Sequence, residues 1–509
     1  MSGALPPAWV HPRLSEIALI NPPPARSEIA DDAEVNFVPM RAVEPEGGGL
    51  LSPETRAYRE VKKGYTSFLS GDVIMAKITP CMENGKVAVV PALPGTLCFG
   101  STEFHVLRAE CGVLARWMAD FLLQHEIRRS AQRAMTGGVG QMRVPASFLE
   151  VLRIPLPPSE EQTRIADALA ELFSDLDAAV EALGRVQAKL ELYRASVLKA
   201  AVEGALTVEW RREHPDTEPA SELLKRILAE RRRCWEEEHL RRFAERGVGP
   251  PANWRAKYRE PSPPDVRSLP TLPRGWCWAS VDEVSAVVVD CPHSTPHFTA
   301  SGQPCIDTTC VRAGRVVREH LRYVSPESYG IRVSRLAPKG GDVVFAREGI
   351  VGTAVIIPQD LEPCLGQRVM LMRADVCVLP EYFRHALESS TVRDQYRPKL
   401  LGSTVAHLNV ADVKLLAIPL PPLAEQEGIV EAADEQLSLI EHLESEMEVN
   451  SEGAGALRQS ILRRAFSGRL VPQDPNDEPA SVLLERIVTE RECRARKNGG
   501  APRKGKGKA

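Results

Sequence analysis

The sequence predicts two mixed α/β (α+β) heads joined by long antiparallel coiled-coil helices, laid out as a tandem pseudo-symmetric duplication. Three observations predict it. A proline-rich block occurs twice at a fixed offset, a heptad pattern follows each copy, and strand-like apolar runs precede each copy.

Ile154-Pro-Leu-Pro-Pro158 recurs as Ile418-Pro-Leu-Pro-Pro422, an offset of 264. Glu161-Gln162 and Ile165 recur at the same offset as Glu425-Gln426 and Ile429. Further on, Pro219-Ala-Ser221 with Leu223-Leu224 returns as Pro479-Ala-Ser481 with Leu483-Leu484 at 260, a slip that a four-residue indel explains. The fronts match more loosely. Trp9 and Glu16 align with Trp276 and Glu283 at 267, Gly71-Asp-Val73 with Gly341-Asp-Val343 at 270, and Arg108-Ala109 with Arg373-Ala374 at 265. Self-similarity at a fixed period marks a repeated architecture.

After each Pro-Pro stop the apolar spacing alternates four and three. The first seam runs from Ile165 through Leu169, Leu172, Leu176, Ala179, Leu183, Val186, Leu190 and Tyr193 to Val197. The second runs from Ile429 to Ile461 in the same phase, weakened by polar Gln436 and Asn450 and by Gly453 and Gly455. Such seams predict coiled-coil helices about 55 Å long that pair with each other. The fronts predict strands at 72–75, 87–90 and 104–107 and at 343–345, 354–357 and 369–372, with helices over 114–134 and 381–395. The predicted order is a head at 1–158, a helix at 159–204, a charged helix and Pro-rich linker at 205–268, a second head at 269–422, and a helix at 423–467. A helical segment follows at 468–497, then a disordered basic tail at 498–509.

Hydrophobic residues at 43% and charged residues at 26% describe an ordinary globular protein. The net charge of −4 disfavours nucleic acid at first sight. Sorting by head removes the objection: residues 1–158 carry 16 Lys/Arg against 16 Asp/Glu, and 269–422 carry 16 against 15. Phosphate binding needs a local basic face, not a basic total. Eleven cysteines without a CxxC pair, no signal peptide and no apolar run of membrane length place the chain in the cytoplasm with reduced thiols. Cys291, His293, His297, Cys305 and Cys310 have zinc-type side chains. They lack two short-spaced ligand pairs, so a polar loop with buried cysteines is preferred and no metal is assigned. Asn21-Pro-Pro-Pro24 lacks the aromatic that would stack on a flipped base and reads as a turn. Gly47-Gly-Gly49 lacks the Lys and Ser/Thr of a phosphate cradle, so neither ATP nor any other cofactor is expected, and no catalytic residue is assigned.

The chain resembles the specificity subunits of type I restriction-modification systems over essentially its whole length. The blocks carrying the likeness are Ile-Pro-Leu-Pro-Pro with Glu-Gln at 154–162 and 418–426, and Ala76-Lys-Ile-Thr-Pro-Cys-Met-Glu-Asn-Gly-Lys86. In the second copy they are Asp290-Cys-Pro-His-Ser-Thr-Pro296, Arg347-Glu-Gly349, and Gly402-Ser-Thr404 with His407-Leu-Asn409. The resemblance implies two target-recognition domains on double-stranded DNA, two methyltransferase subunits, restriction subunits and no membrane. It implies DNA contact by Lys77, Thr79, Asn84 and Lys86, whose chemistry suits guanine, adenine or phosphate, with a solvated turn as the bland alternative. By family analogy Gln141 and Arg143 in the first copy, and His293, Ser294, Thr295, Arg347, Ser403, Thr404 and His407 in the second, join them. Arg312, Arg315, Arg318 and Arg322 offer a further basic surface; Val311, Val316 and Val317 around Gly314 favour a hairpin over a helix there, and a plain solvated face is as good a reading. A self-contained restriction-methylation enzyme lacks its motifs here. A coiled-coil scaffold with two protein-binding heads and no DNA role stays open against the DNA-reading one.

If the paired helices set the gap between two half-sites, removing one heptad from each shortens it. Deleting Leu176 to Ala182 together with Ile440 to Glu446 keeps the seams in register and shortens the rod by about 10 Å, roughly three base pairs. Methylome sequencing of this double deletion should show a shorter spacer between unchanged half-sites. An unchanged spacer with full activity would mean that the helices do not set it.

Overall fold

The computed structural model describes all residues except 1–4, 24–28, 48, 94–96, 139, 293, 313, 401–406 and 500–509. The chain divides into two compact units, Met1–Gly184 with Glu448–Ala509, and Arg185–Met447. Both divisions fall inside a long helix: Ser159–Val202 and Leu423–Phe466 have 44 residues each, about 66 Å of rise.

In the first unit, strands Ala18–Ile20, Phe104–Ala109, Val73–Ala76 and Val87–Val89 form an antiparallel sheet in that spatial order. A second sheet orders Glu54–Ala57, Glu34–Val38, Leu97–Gly100 and Thr66–Leu69, with its central pair parallel. The second unit repeats the first sheet with Ser285–Asp290, Val369–Ala374, Val343–Ala346 and Ala354–Ile356. Its other sheet orders Phe298–Thr299, Arg322–Val324, Gln303–Ile306 and Cys364–Leu365, and again contains one parallel pair, the last. A hairpin joins Val311–Arg312 to Arg315–Val316.

The central strands are apolar on both faces because both faces are covered. Val73 and Met75 join the core under the helices with Trp117, whereas Ile74 joins Phe68 and Val106 toward the second sheet. Val343 and Phe345 divide from Val344 in the same alternation. The predicted strands lie within two residues of the observed ones at each end. The four strands of the first unit's second sheet are short, two of them, Glu54–Ala57 and Thr66–Leu69, only partly buried, and the sequence reading did not predict them. Both predicted head helices are broken in two. Ala115–Leu122 and His125–Arg133 are separated at extended Gln124, and Pro380–Glu388 and Ser390–Leu400 at extended Ser389. Ser389 Oγ accepts from Val392 N at 3.3 Å, capping a new helix where the periodicity reads through.

The first helix seam is buried mainly toward its ends. Ile165, Leu169, Leu190 and Val197 are buried, but Leu172, Val186 and Tyr193 expose 38%, 45% and 48%. Pairing is antiparallel within each unit. In the first, Arg458 lies over the Phe173 ring at 4.4 Å and pairs with Asp177. In the second, Tyr193 Oη donates to Gln436 Oε1 at 3.0 Å and Arg194 meets Glu444 at 2.9 Å. Gly453 and Gly455 do not interrupt their helix.

Glu161, Gln162, Glu425 and Gln426 are buried where the helices leave the heads. Trp9 Nε1 donates to Glu161 Oε2 at 2.9 Å, and Trp276 Nε1 to Glu425 Oε2 at 2.8 Å. Gln162 Oε1 accepts from Leu114 N at 2.8 Å, as Gln426 Oε1 does from Leu379 N at 2.9 Å. Alternating prolines supply carbonyls without competing N–H groups. Pro155 O accepts from Trp117 Nε1 at 2.9 Å and Pro419 O from Tyr382 Oη at 2.5 Å. The remaining carboxylate oxygens are met by the segments that follow the long helices. Gln473 Nε2 donates to Glu161 at 2.5 Å, and Thr207 Oγ1 and Arg211 donate to Glu425 at 2.7 and 2.5 Å. Burial holds the Glu161 carboxyl above its usual range. Next in the chain, Ala220, Leu223 and Ile227 pack into the second unit's core, and Ala480, Leu483 and Ile487 into the first's.

Glu425→Ala strands the Trp276 N–H and the Thr207 hydroxyl and takes from Arg211 its carboxylate partner, leaving that guanidinium only Gly204 O and Thr207 Oγ1. The expected cost is about 3 kcal/mol. Hydrogen exchange should place the lost protection within 185–447; protection unchanged there would show the clamp to be dispensable.

Candidate nucleic-acid interface

The main sheet of each head has two dissimilar ends. At one, Gly71 and Gly341 turn with φ of +88° and +86°, a conformation that glycine adopts without cost. Beside them Arg108 grips buried Asp72 at 2.8 and 2.7 Å, and Arg373 grips buried Asp342 at 2.7 and 2.7 Å. The two heads are the same here.

At the other end the chain leaves Val73–Ala76 and Val343–Ala346 into loops. The backbone lattice is again shared. Lys77 N donates to Glu103 O and Val144 N to Lys77 O, both at 2.9 Å; Arg347 N donates to Arg368 O at 3.0 Å and Leu408 N to Arg347 O at 2.9 Å. Ile78 bridges Arg143 as Glu348 bridges His407. The side chains on this common lattice are different. The first head places Lys77, Glu103 and Arg143 there; the second places Arg347, Glu348, Arg368 and His407.

In the first head Arg143 holds Glu103 through Nε and an Nη nitrogen, both at 2.9 Å, and keeps its carboxyl below the usual range. Arg143 also donates to Gln141 O at 2.9 Å. Lys77 is half-buried beside Glu103. Asn84 and Gln141 are exposed, while Thr79 donates to Glu83 at 2.6 Å. Lys86 spends its ammonium on Met40 O at 3.0 Å, and buried Arg128 holds the loop from beneath through Glu83 O at 2.7 Å and Glu46 at 2.8 Å. The loop is therefore held from beneath, with Asn84 on it and Gln141 on the neighbouring segment exposed and Lys77 half-buried.

In the second head three blocks far apart in sequence meet. Buried Arg347 lies 3.0 Å from Asp290 and 3.7 Å from Glu348. His407 Nδ1 is 3.0 Å from Glu348, and its Nε2 is 3.3 Å from Asn409 and 3.4 Å from Arg347. Ser294 and Thr295 are exposed, and the Ser294 carbonyl accepts from buried Arg332 at 3.1 Å. His293, Ser403 and Thr404 lie outside the described residues. Arg312 is exposed on the hairpin, while Arg315 faces Glu441 at 3.6 Å, Arg318 pairs with Asp360 at 2.7 Å, and Arg322 pairs with Asp307. A continuous basic stripe is thus not formed, because three of its four members are neutralised locally. The reading from sequence missed Glu103 and Arg368, although the 265 offset of the neighbouring strands sets them at the same position. Among the described residues no three His, Cys, Asp or Glu side chains are placed to hold a metal, and no helix is long and apolar enough to cross a membrane.

Paired α/β heads on shared helices, alike in frame and unlike at one loop end, define a class of two-headed recognition proteins. One solved structure, from a study of complex assembly and conformational transition in a type I restriction-modification system, has this fold. It has a TM-score of 0.63 and 21% identity, and the match covers 92% of this chain and 100% of that one. The model for the type I restriction modification DNA specificity domain matches residues 8–183 and 327–448, and the chain belongs to that family. Similar relatives are the EcoEI specificity subunit of Escherichia coli, 27% identical across 87% of this chain and 80% of its own length, and the EcoAI subunit, 26% identical across 85% and 78%.

If Lys77 meets a DNA phosphate while Lys86 only supports the loop, the two variants separate contact from support. Lys77→Ala should weaken duplex binding and reduce the slope of log K against log salt by about 1, with melting nearly unchanged. Lys86→Ala should chiefly lower stability, by about 1 kcal/mol, through the abandoned Met40 carbonyl. Salt titrations and melting curves on both variants check this, and the reverse pattern would exchange their roles.

Proposed function

We propose that each head reads one half of a bipartite, asymmetric DNA site and that the paired helices hold the halves at a fixed spacing. The observation that carries this reading is the shared backbone lattice bearing different charged side chains: one docking mode, two specificities. Double-stranded DNA is the ligand, in the cytoplasm where the chromosome lies. The family's role is specificity, so methylation and cleavage are the work of other subunits.

The helices offer those subunits a surface. Val180, Val449 and Leu457 in the first unit, and Val186, Leu192 and Leu439 in the second, are apolar and 38–72% exposed. Exposed apolar rows mark interaction sites. Two methyltransferase subunits, one on each repeated helical unit, and restriction subunits beyond them fit this arrangement; the EcoEI and EcoAI relatives are specificity subunits of such restriction enzymes.

Exchanging residues 1–150 for the corresponding head of a relative should alter one half-site in the methylome and leave the other intact. Alteration of both halves, or of neither, would reject modular reading, as would a complex whose duplex affinity ignores salt.

A further inference from the structure

Among the described residues three that are not glycine have left-handed backbone: Asn21, Glu46 and Arg368, with φ of +48°, +54° and +68°. Such geometry is costly and persists where its surroundings impose it, often at functional positions. The first two are compensated locally. Asn21 Oδ1 accepts from Val106 N at 3.0 Å, and Glu46 receives both Nη nitrogens of Arg128 at 2.8 Å. Arg368 has no such return. Its one charged contact among the described residues is Glu348 at 3.7 Å, beyond hydrogen-bond reach, and its side chain is 60% exposed.

Its position is nevertheless well fixed. The Arg368 carbonyl accepts from Arg347 N at 3.0 Å, and Arg347 is itself buried against Asp290. Strand Val369–Ala374 begins at the next residue, inside the sheet. The guanidinium is thus the outermost cation of a cluster whose inner members are already paired. Position 368 is also where the two heads differ in sign, because Glu103 occupies the equivalent site in the first and is closed off by Arg143. A fork of N–H donors held on rigid backbone matches the O6 and N7 acceptors of guanine in the major groove, which a carboxylate cannot do. Resting on the two-head reading above, we infer that Arg368 is a specificity-determining residue of the second head that reads a guanine of its half-site.

The test uses the assembled methyltransferase complex carrying Arg368→Gly or Arg368→Lys, with methylome sequencing, duplex binding and melting. Glycine accommodates the backbone, so R368G should melt no lower than wild type while binding the cognate duplex about 10- to 100-fold more weakly. Discrimination should relax at a single base pair of the second half-site. Lysine keeps the charge but not the fork, so R368K should relax the same base pair. A lower melting temperature with an unchanged motif would make Arg368 structural and overturn the inference. So would uniform weakening on all sequences with a shallower salt slope, the mark of a phosphate contact. If the wild-type complex showed no bipartite motif, the two-head reading itself would fail; a normal wild-type motif preserved in R368G would sink only the role of Arg368.

Discussion

A carboxylate buried away from water needs hydrogen-bond donors, and Glu161 and Glu425 each receive them from two stretches of chain outside their own helix. An indole from the start of the head, the helix that carries the glutamate, and the segment that follows the other long helix meet at each. Leaving any of these out strands a charge in the core, which costs far more than a surface contact returns. The neighbouring glutamines bind backbone at the head's own helix start. Head and helix within a unit are consequently joined by a bonded, polar hinge, not by apolar contact alone, and the angle between them is set by hydrogen-bond geometry. Prolines in the preceding block make this workable, since they accept without leaving an N–H to satisfy.

The same economy separates a shared frame from a variable loop end in each head. One end of the main sheet is closed by a guanidinium–carboxylate pair that is identical in both copies. The other end keeps the backbone hydrogen bonds and exchanges the side chains. A duplicated domain can diverge in side chains this way without endangering its fold, because the hydrogen bonds common to the two loop ends run between main-chain atoms. Charge balance is conserved locally even as residues change: each cluster contains its own acid, Glu103 in one and Glu348 with Asp290 in the other.

Much of this was legible in the chain. The repeat, the two long helices and three of the four strands of each main sheet follow from offsets, heptad spacing and apolar runs, because those elements bury whole faces; the edge strands Ala18–Ile20 and Ser285–Asp290 were not predicted. The second sheet of the first head was not legible, since strands such as Glu54–Ala57 and Thr66–Leu69 are short and only partly buried, so their patterns carry little alternation. The helix breaks at Gln124 and Ser389 were hidden because the apolar period continues across them. Of the residues singled out for DNA, the sequence could supply chemical type but not commitment. Lys86 and Arg143 look as available as Lys77 on paper, yet the fold engages one with a carbonyl and the other with Glu103. Arg368 went unnoticed for the opposite reason, as a cation in a strand-like context whose backbone conformation no motif encodes.

The core of the first unit contains Leu462, Phe466, Ala480, Leu483 and Ile487, and the Phe466 ring lies 4.1 Å from that of Trp117. Everything the second unit needs lies between Arg185 and Met447. On the ribosome these two bodies therefore mature in reverse order. The first head emerges early but waits for about 300 further residues, roughly 15–60 s at about 5–20 residues per second, before residues 462–487 arrive to complete the core around Trp117 and Phe121. For that interval it is an open half-domain with apolar surface exposed, and the second unit is complete before it. Two bodies alike in structure are thus unlike in synthesis, and the nascent chain's vulnerable period belongs to the head that was made first.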